Sequence, residues 1–206
     1  MVACRRFRHG VRHLLRILRF SDRAAPVPNS KDVLAAELAP ADAKLHRLEI
    51  DASPWGGGGV LFENDRPTRY FTCVWRQSDF GDRDVHVSSS ASQTYFEVLV
   101  LVLAIELWGR TLCPTVVLGD NLPALQEALT LKGRGLQGEL AQALSVLIVS
   151  RSLTITVGHL PTEANTAADA LSRLAEPLGK RNPFANNPGV QRDFPVRVPA
   201  LWAWIR

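Results

Sequence analysis

Four acidic residues of this chain stand where an acid is costly. Asp51 closes the apolar-alternating run Leu48-Glu49-Ile50, and Glu97 opens the run Val98–Ile105. Asp120 closes Val116-Val117-Leu118-Gly119, and Asp169 sits inside Ala167-Ala168-Asp169-Ala170-Leu171. A carboxylate beside a core-forming segment is disfavoured unless it pairs with a base or binds a cation. No basic partner is obvious for the four, so together they suggest a divalent metal site. Oxygen-only ligation suits Mg2+ or Mn2+ rather than zinc. A carboxylate cluster holding two such ions is a general solution for phosphodiester hydrolysis: one ion helps to generate hydroxide, the other stabilises the leaving 3′ oxygen.

The elements around these acids must bring them together. Leu45–Ala52 reads as a strand, Gly56–Gly59 as a permissive turn, Val60–Phe62 as a returning strand and Arg69–Arg76 as a third strand. Gln77–Ser90 is polar and reads as an exposed loop. Ala91–Trp108 is too long for a strand and is followed by Gly109, so a buried helix is expected. Thr115–Gly119 and Leu153–Val157 read as strands. Pro123–Thr130, Leu136–Ser150 and Thr162–Leu174 read as helices, the last capped by Thr162. The order β-β-β-α-β-α-α-β-α implies an α/β domain built on a five-stranded mixed sheet. Three antiparallel strands are followed by two parallel ones, with helices on both faces. In such a sheet Asp51 and Asp120 lie toward strand C-termini, where open α/β sheets place ligands.

Composition bounds the rest. The 206 residues carry 46% hydrophobic and 21% charged residues, which are globular values. The net charge of +4 is uneven. Residues 1–20 hold six arginines and no acid, while the remainder holds 18 basic against 20 acidic residues. The basic character therefore belongs to the N-terminal segment, and net charge alone is weak support for nucleic-acid binding. Arg5, Arg8, Arg12, Arg16 and Arg19 share one helical face. A basic helix left from an upstream region is the preferred reading, and a mitochondrial presequence is the less favoured one. Ala24–Ser30 reads as a linker, and Asp32–Leu38 as a short helix. Cys4, Cys73 and Cys113 are far apart with no C-x-x-C, which implies no disulfide framework or zinc site and fits an intracellular, cytoplasmic or nuclear, setting. The uncharged run Val98–Ile105 is too short to span a bilayer, so no membrane partner is expected. Gly56–Gly59 does not make a dinucleotide fingerprint, because Leu61 falls where the third glycine belongs. The organisation expected is a basic segment and linker over 1–43, the sheet domain over 44–176 and a Pro/Asn-rich tail over 177–206.

Four stretches then carry a resemblance. They are Asp51-Ala-Ser-Pro-Trp-Gly-Gly-Gly-Gly-Val-Leu, Gln93-Thr-Tyr-Phe-Glu97-Val-Leu, Leu118-Gly-Asp120-Asn121, and Gly158-His159-Leu-Pro-Thr-Glu-Ala-Asn165-Thr-Ala-Ala-Asp169-Ala-Leu-Ser-Arg173. In this order and spacing they resemble a ribonuclease H domain, in the version attached to retrotransposon reverse transcriptases. The resemblance covers roughly residues 45–175. It implies a ribonuclease H-like fold and cleavage of the RNA strand of RNA–DNA hybrids, leaving 5′-phosphate and 3′-hydroxyl ends. It further implies that Asp51, Glu97, Asp120 and Asp169 ligate two Mg2+ ions, with Mn2+ able to substitute. His159 would assist proton transfer or product release from a mobile loop. Ser53, Trp55, Gly56, Asn121 and Asn165 would contact the nucleic acid or orient the ligands. The partners implied are an RNA–DNA hybrid and an upstream reverse-transcriptase polymerase region.

Taken singly, each residue has an ordinary explanation. Asp51 suits a turn before Pro54, Glu97 a first helical turn, Asp120-Asn121 a helix cap, Asp169 a helix surface and His159 a loop. One site explains all five at once. The alternative for the whole is a catalytically decayed copy kept as a nucleic-acid-binding or interaction module. Only Leu131-Lys132-Gly133-Arg134-Gly135 stands where some cellular members carry a basic protrusion. Weak substrate affinity of the isolated domain is therefore expected.

Overall fold

The computed structural model describes residues 46–109, 115–153 and 155–205. The Arg-rich helix, the linker and the helix expected before residue 45 lie outside the described residues, as do Cys4 and Cys113. Strands β1 (His46–Ser53), β2 (Gly56–Glu63) and β3 (Arg66–Val74) form an antiparallel meander. Helix α1 (Gln93–Trp108) leads to β4 (Thr115–Gly119). Helices α2 (Leu122–Thr130) and α3 (Leu136–Arg151) lead to β5 (Ile155–His159), and α4 spans Thr166–Ser172. Strand β4 pairs parallel with β1 and with β5. The expected mixed sheet is therefore present. A two-residue strand, β6 (Gln191–Arg192), adds a sixth member beside β3, giving the order β5-β4-β1-β2-β3-β6.

Alternation along β1 divides the two faces. Leu48, Ile50 and Ala52 pack into the main core with α1, whereas Glu49, Asp51 and Ser53 point to the opposite face, toward α4. Eleven consecutive residues of α1, Tyr95–Ile105, are buried. The helix is covered by the sheet on one side and by α2 and α3 on the other, which explains an all-round apolar sequence. Together with the 3-10 turn Ser90–Ser92 it is long and apolar enough by composition to cross a membrane, yet here it is the core helix.

Gly56–Gly59 belong to β2, not to a turn; the turn is Pro54-Trp55. The glycines are needed for space. A Cβ on Gly57 would lie 2.3 Å from Val100 of α1, and one on Gly58 would lie 2.5 Å from Leu171 Cβ of α4. The glycine run lets both helices approach one strand from opposite faces. The stretch after β3 is also more ordered than its polarity suggests. Gln77–Asp79 is a 3-10 turn, and Phe80 and Val85 are buried.

Residues 177–205 lie against the body. Val190 joins the cluster with Val60, Tyr70 and Leu171, and Val198 and Leu201 of helix α5 (Val198–Ile205) enter the main core. Asp193 accepts a hydrogen bond from Trp108 Nε1 at 2.7 Å and pairs with Arg69 at 3.5 Å.

Candidate metal centre

The strand register brings two of the acids together. The last β1–β4 pair is Glu49 with Leu118. Two residues further along each segment stand Asp51, still within β1, and Asp120, just after β4, both beyond the end of that ladder. Glu97 comes from the second turn of α1. Carboxylate oxygens of Asp51, Glu97 and Asp120 all lie within 4.8 Å of one another. That span matches the width of an oxygen coordination sphere, about twice a metal–oxygen distance of ~2.0–2.6 Å.

Each of the three is held. Gln93, one turn before Glu97, donates from Nε2 to Glu97 Oε1 at 2.9 Å and to the Ala52 carbonyl at 2.6 Å. Thr162 Oγ1 donates to Asp120 Oδ2 at 2.8 Å. Ser172 Oγ donates to Asp51 Oδ2. Burial, aided by the charges of Asp120 and Asp169 and opposed by the Ser172 hydrogen bond, pushes the Asp51 carboxyl up to about 7. Burial first, then Asp51 and Asp120, pushes Glu97 well above the usual carboxylate range. Three convergent acids, two of them resisting ionisation, make a site whose repulsion a divalent cation relieves. The donor set therefore fits Mg2+ or Mn2+.

Asp169 is placed differently from the expectation of an unpaired acid. Arg173 Nε donates to its Oδ1 at 2.6 Å, and Lys180 Nζ contacts its Oδ2. Burial favours the neutral acid, but the hydrogen bonds from Lys180 and Arg173 outweigh it and hold the carboxyl below its ordinary value. Its charge still reaches Asp51.

The remaining candidates divide by exposure. His159 is exposed, but it is the last residue of β5, not part of a loop. It pairs with Gly119, one residue before Asp120. Trp55 is half-buried in the β1–β2 turn and half-open to solvent. Asn121 caps α2, accepting from Ala124 N at 3.0 Å. Three further candidates, Ser53, Gly56 and Asn165, are buried. Ser53 is 0% exposed; its hydroxyl donates to Ser172 O at 2.8 Å and accepts from Trp55 N and Gly56 N at 3.2 Å, so it builds the turn. Gly56 is buried, and a Cβ there would lie 2.5 Å from Cys73 O, so the glycine makes room for β3. Asn165 is 0% exposed and donates from Nδ2 to Ile50 O at 2.9 Å, which ties α4 to β1 beside Asp51. Thr162 does not cap α4. Asn165 occupies that position, and Thr162 serves Asp120 instead.

Five further residues shape the centre: Gln93, Thr162, Ser172, Arg173 and Lys180. Gln93 stands four residues before Glu97, and Arg173 stands four after Asp169, so helical spacing could have flagged both pairs. Thr162 and Lys180 reach their acids through loops and leave no local pattern.

A mixed sheet with carboxylates gathered past the end of the β1–β4 ladder defines the class: an α/β domain with a candidate divalent-metal centre. No protein-family model matches the chain, and no curated protein does. Solved structures similar to it include an RNase H1 from the halophilic archaeon Halobacterium salinarum, with 15% identity over 62% of this chain and 93% of that one and a TM-score of 0.48. Another is LC11-RNase H1 in complex with an RNA/DNA hybrid, with 12% identity over 63% and 93% and a TM-score of 0.45. A third is the foamy viral protease-reverse transcriptase in complex with dsDNA, with 16% identity over 73% of this chain and 29% of that one and a TM-score of 0.34.

Proposed function

We propose that this chain is a metal-dependent endonuclease of the ribonuclease H type, hydrolysing the RNA strand of RNA–DNA hybrids and derived from a retroelement reverse transcriptase. The observation that carries the reading is the convergence of Asp51, Glu97 and Asp120 from three separate elements. Divalent ions bound by these carboxylates would supply Lewis acidity to the phosphate and to the attacking water. Asp51, held by Ser172, and Glu97, held by Gln93, would each supply a ligand oxygen. Asp120 and its partner Thr162 close the β4 side. Water adds to phosphorus, the bond to the 3′ oxygen breaks, and the products carry a 5′-phosphate and a 3′-hydroxyl. His159, exposed and paired with Gly119 one residue before Asp120, would move a proton between solvent and the leaving group. Selection of the RNA strand would come from 2′-hydroxyls displayed in the wide minor groove of a near-A-form hybrid. An upstream polymerase region would supply affinity that the short Leu131–Gly135 connection does not. Such an enzyme would work in the cytoplasm or nucleus.

A second reading is a decayed module that binds nucleic acid without cutting it. It is favoured by the pairing of Asp169 with Arg173 and Lys180, which occupies the fourth acid. The deciding experiment incubates the full chain with a labelled RNA–DNA hybrid in Mg2+ or Mn2+, beside Asp51→Asn and Asp120→Asn. RNA cleavage lost in both variants supports the enzyme. Hybrid bound but left intact by the wild-type chain sinks it in favour of the binding module.

A further inference from the structure

Lys180 lies outside the stretch that carries the motifs, yet it reaches the centre. Its position is built from both sides. Before it, Arg173 bridges Asp169 and Glu176, with Nη1 to Glu176 Oε2 at 3.1 Å, and Gly179 N donates to Glu176 O at 2.7 Å. After it, Asn182 Nδ2 donates to the Tyr70 hydroxyl at 3.1 Å, and the Phe184 ring lies 5.1 Å from that of Tyr70. The backbone on either side of Lys180 is thereby fastened to α4 and to β3. Its ammonium falls on Asp169 Oδ2, while Arg173 takes Oδ1. Both oxygens of the fourth acid are therefore engaged by protein cations, whereas among the described residues no ion pair neutralises the trio Asp51, Glu97 and Asp120.

We propose that Lys180 holds the place of a second divalent ion at Asp169. The centre then binds one ion tightly at Asp51, Glu97 and Asp120, and takes a second only when the lysine is displaced. This rests on reading the trio as a metal centre. Charge and geometry both favour it. An ion ligated by Asp169 would have to share an oxygen that Arg173 or Lys180 already contacts, and like charges cannot share one oxygen closely. The side chain of Lys180 is 54% exposed, so its flexible stem has somewhere to go. Displacement is accordingly a matter of cation concentration and of the extra negative charge that a bound phosphodiester brings.

The test is calorimetric titration of the full chain with Mn2+, without nucleic acid, for wild type, Lys180→Met, Lys180→Met/Asp169→Asn and Asp51→Asn. Wild type is expected to bind one ion, with any second at least about tenfold weaker. Lys180→Met, which keeps the stem, should tighten the second site by about tenfold or more, and adding Asp169→Asn should abolish that gain. Two equal ions in wild type, or no change in Lys180→Met, overturns the role of Lys180 while leaving the trio intact. Equal absence of binding in wild type, in both lysine variants and in Asp51→Asn overturns the metal reading, and the proposal with it.

Discussion

Replacing Asp51 by Asn should stabilise the metal-free protein at alkaline pH while destroying its response to divalent ions. Asn has the same shape, cannot ionise, and can still accept the Ser172 hydroxyl. In the wild type, burial first and then neighbouring charge raise the Asp51 carboxyl from 3.8 to about 7. Below its ordinary value Asp51 is protonated both folded and unfolded and costs nothing. Between that value and about 7 the unfolded chain releases the proton while the folded one keeps it, so stability falls as pH rises and levels off above. A rise of that size sets a ceiling of about 4 kcal/mol. Asp51 and Glu97 repel each other and share the cost, so about 2 kcal/mol is the expected gain for the variant at about pH 8 in chelator. Urea unfolding of both proteins, at mildly acidic and alkaline pH, measures it. Adding Mg2+ or Mn2+ should then stabilise the wild type and leave Asp51→Asn unmoved. A variant no more stable than wild type at about pH 8 without metal would refute the account of a repulsive carboxylate trio.

Glu127 sits away from the centre, buried, with Oε1 lacking a hydrogen-bond partner and its carboxyl pushed by burial up to about 7. Its cost also appears as pH rises toward that value, so Glu127→Gln should add about 1 kcal/mol at alkaline pH, after allowance for solvent reaching the group, and nothing in acid; equal unfolding midpoints at high pH would count against it. Gly58→Ala forces a Cβ to 2.5 Å from Leu171 Cβ and 2.9 Å from Ala168 O and Ser172 N, so a loss of ~1–3 kcal/mol is expected, with weaker Mn2+ binding as α4 is pushed away. Calorimetric affinity equal to wild type would separate packing from the site. Asp193→Ala strands Arg69 and removes one bond from Trp108, and should cost about 2 kcal/mol in urea unfolding; a change within error would show that residues 177–205 contribute little to the body.

Local pattern was enough wherever local physics dominates. The alternation of β1, the β-branched run Thr115–Gly119 and the buried run of α1 each appear where period and length place them. Gly56–Gly59 misled because glycine signals freedom of backbone, whereas here it supplies the absence of a side chain between two helices. Thr162 has the residue type of a cap, and so does Asn165. Only the path of the loop decided that Asn165 starts α4 and Thr162 turns to Asp120.

The same division holds at the centre. Sequence by itself determined the four acids, their order, and their positions at strand ends and on helices, because those follow from hydrophobic period and chain direction. Tertiary structure decided which acids meet. The end of the β1–β4 ladder gathers Asp51 and Asp120 with Glu97, and a fold-back of the chain delivers Lys180 to Asp169. Burial and charge at a carboxylate depend on atoms remote in sequence, and so does the identity of the cation that neutralises it.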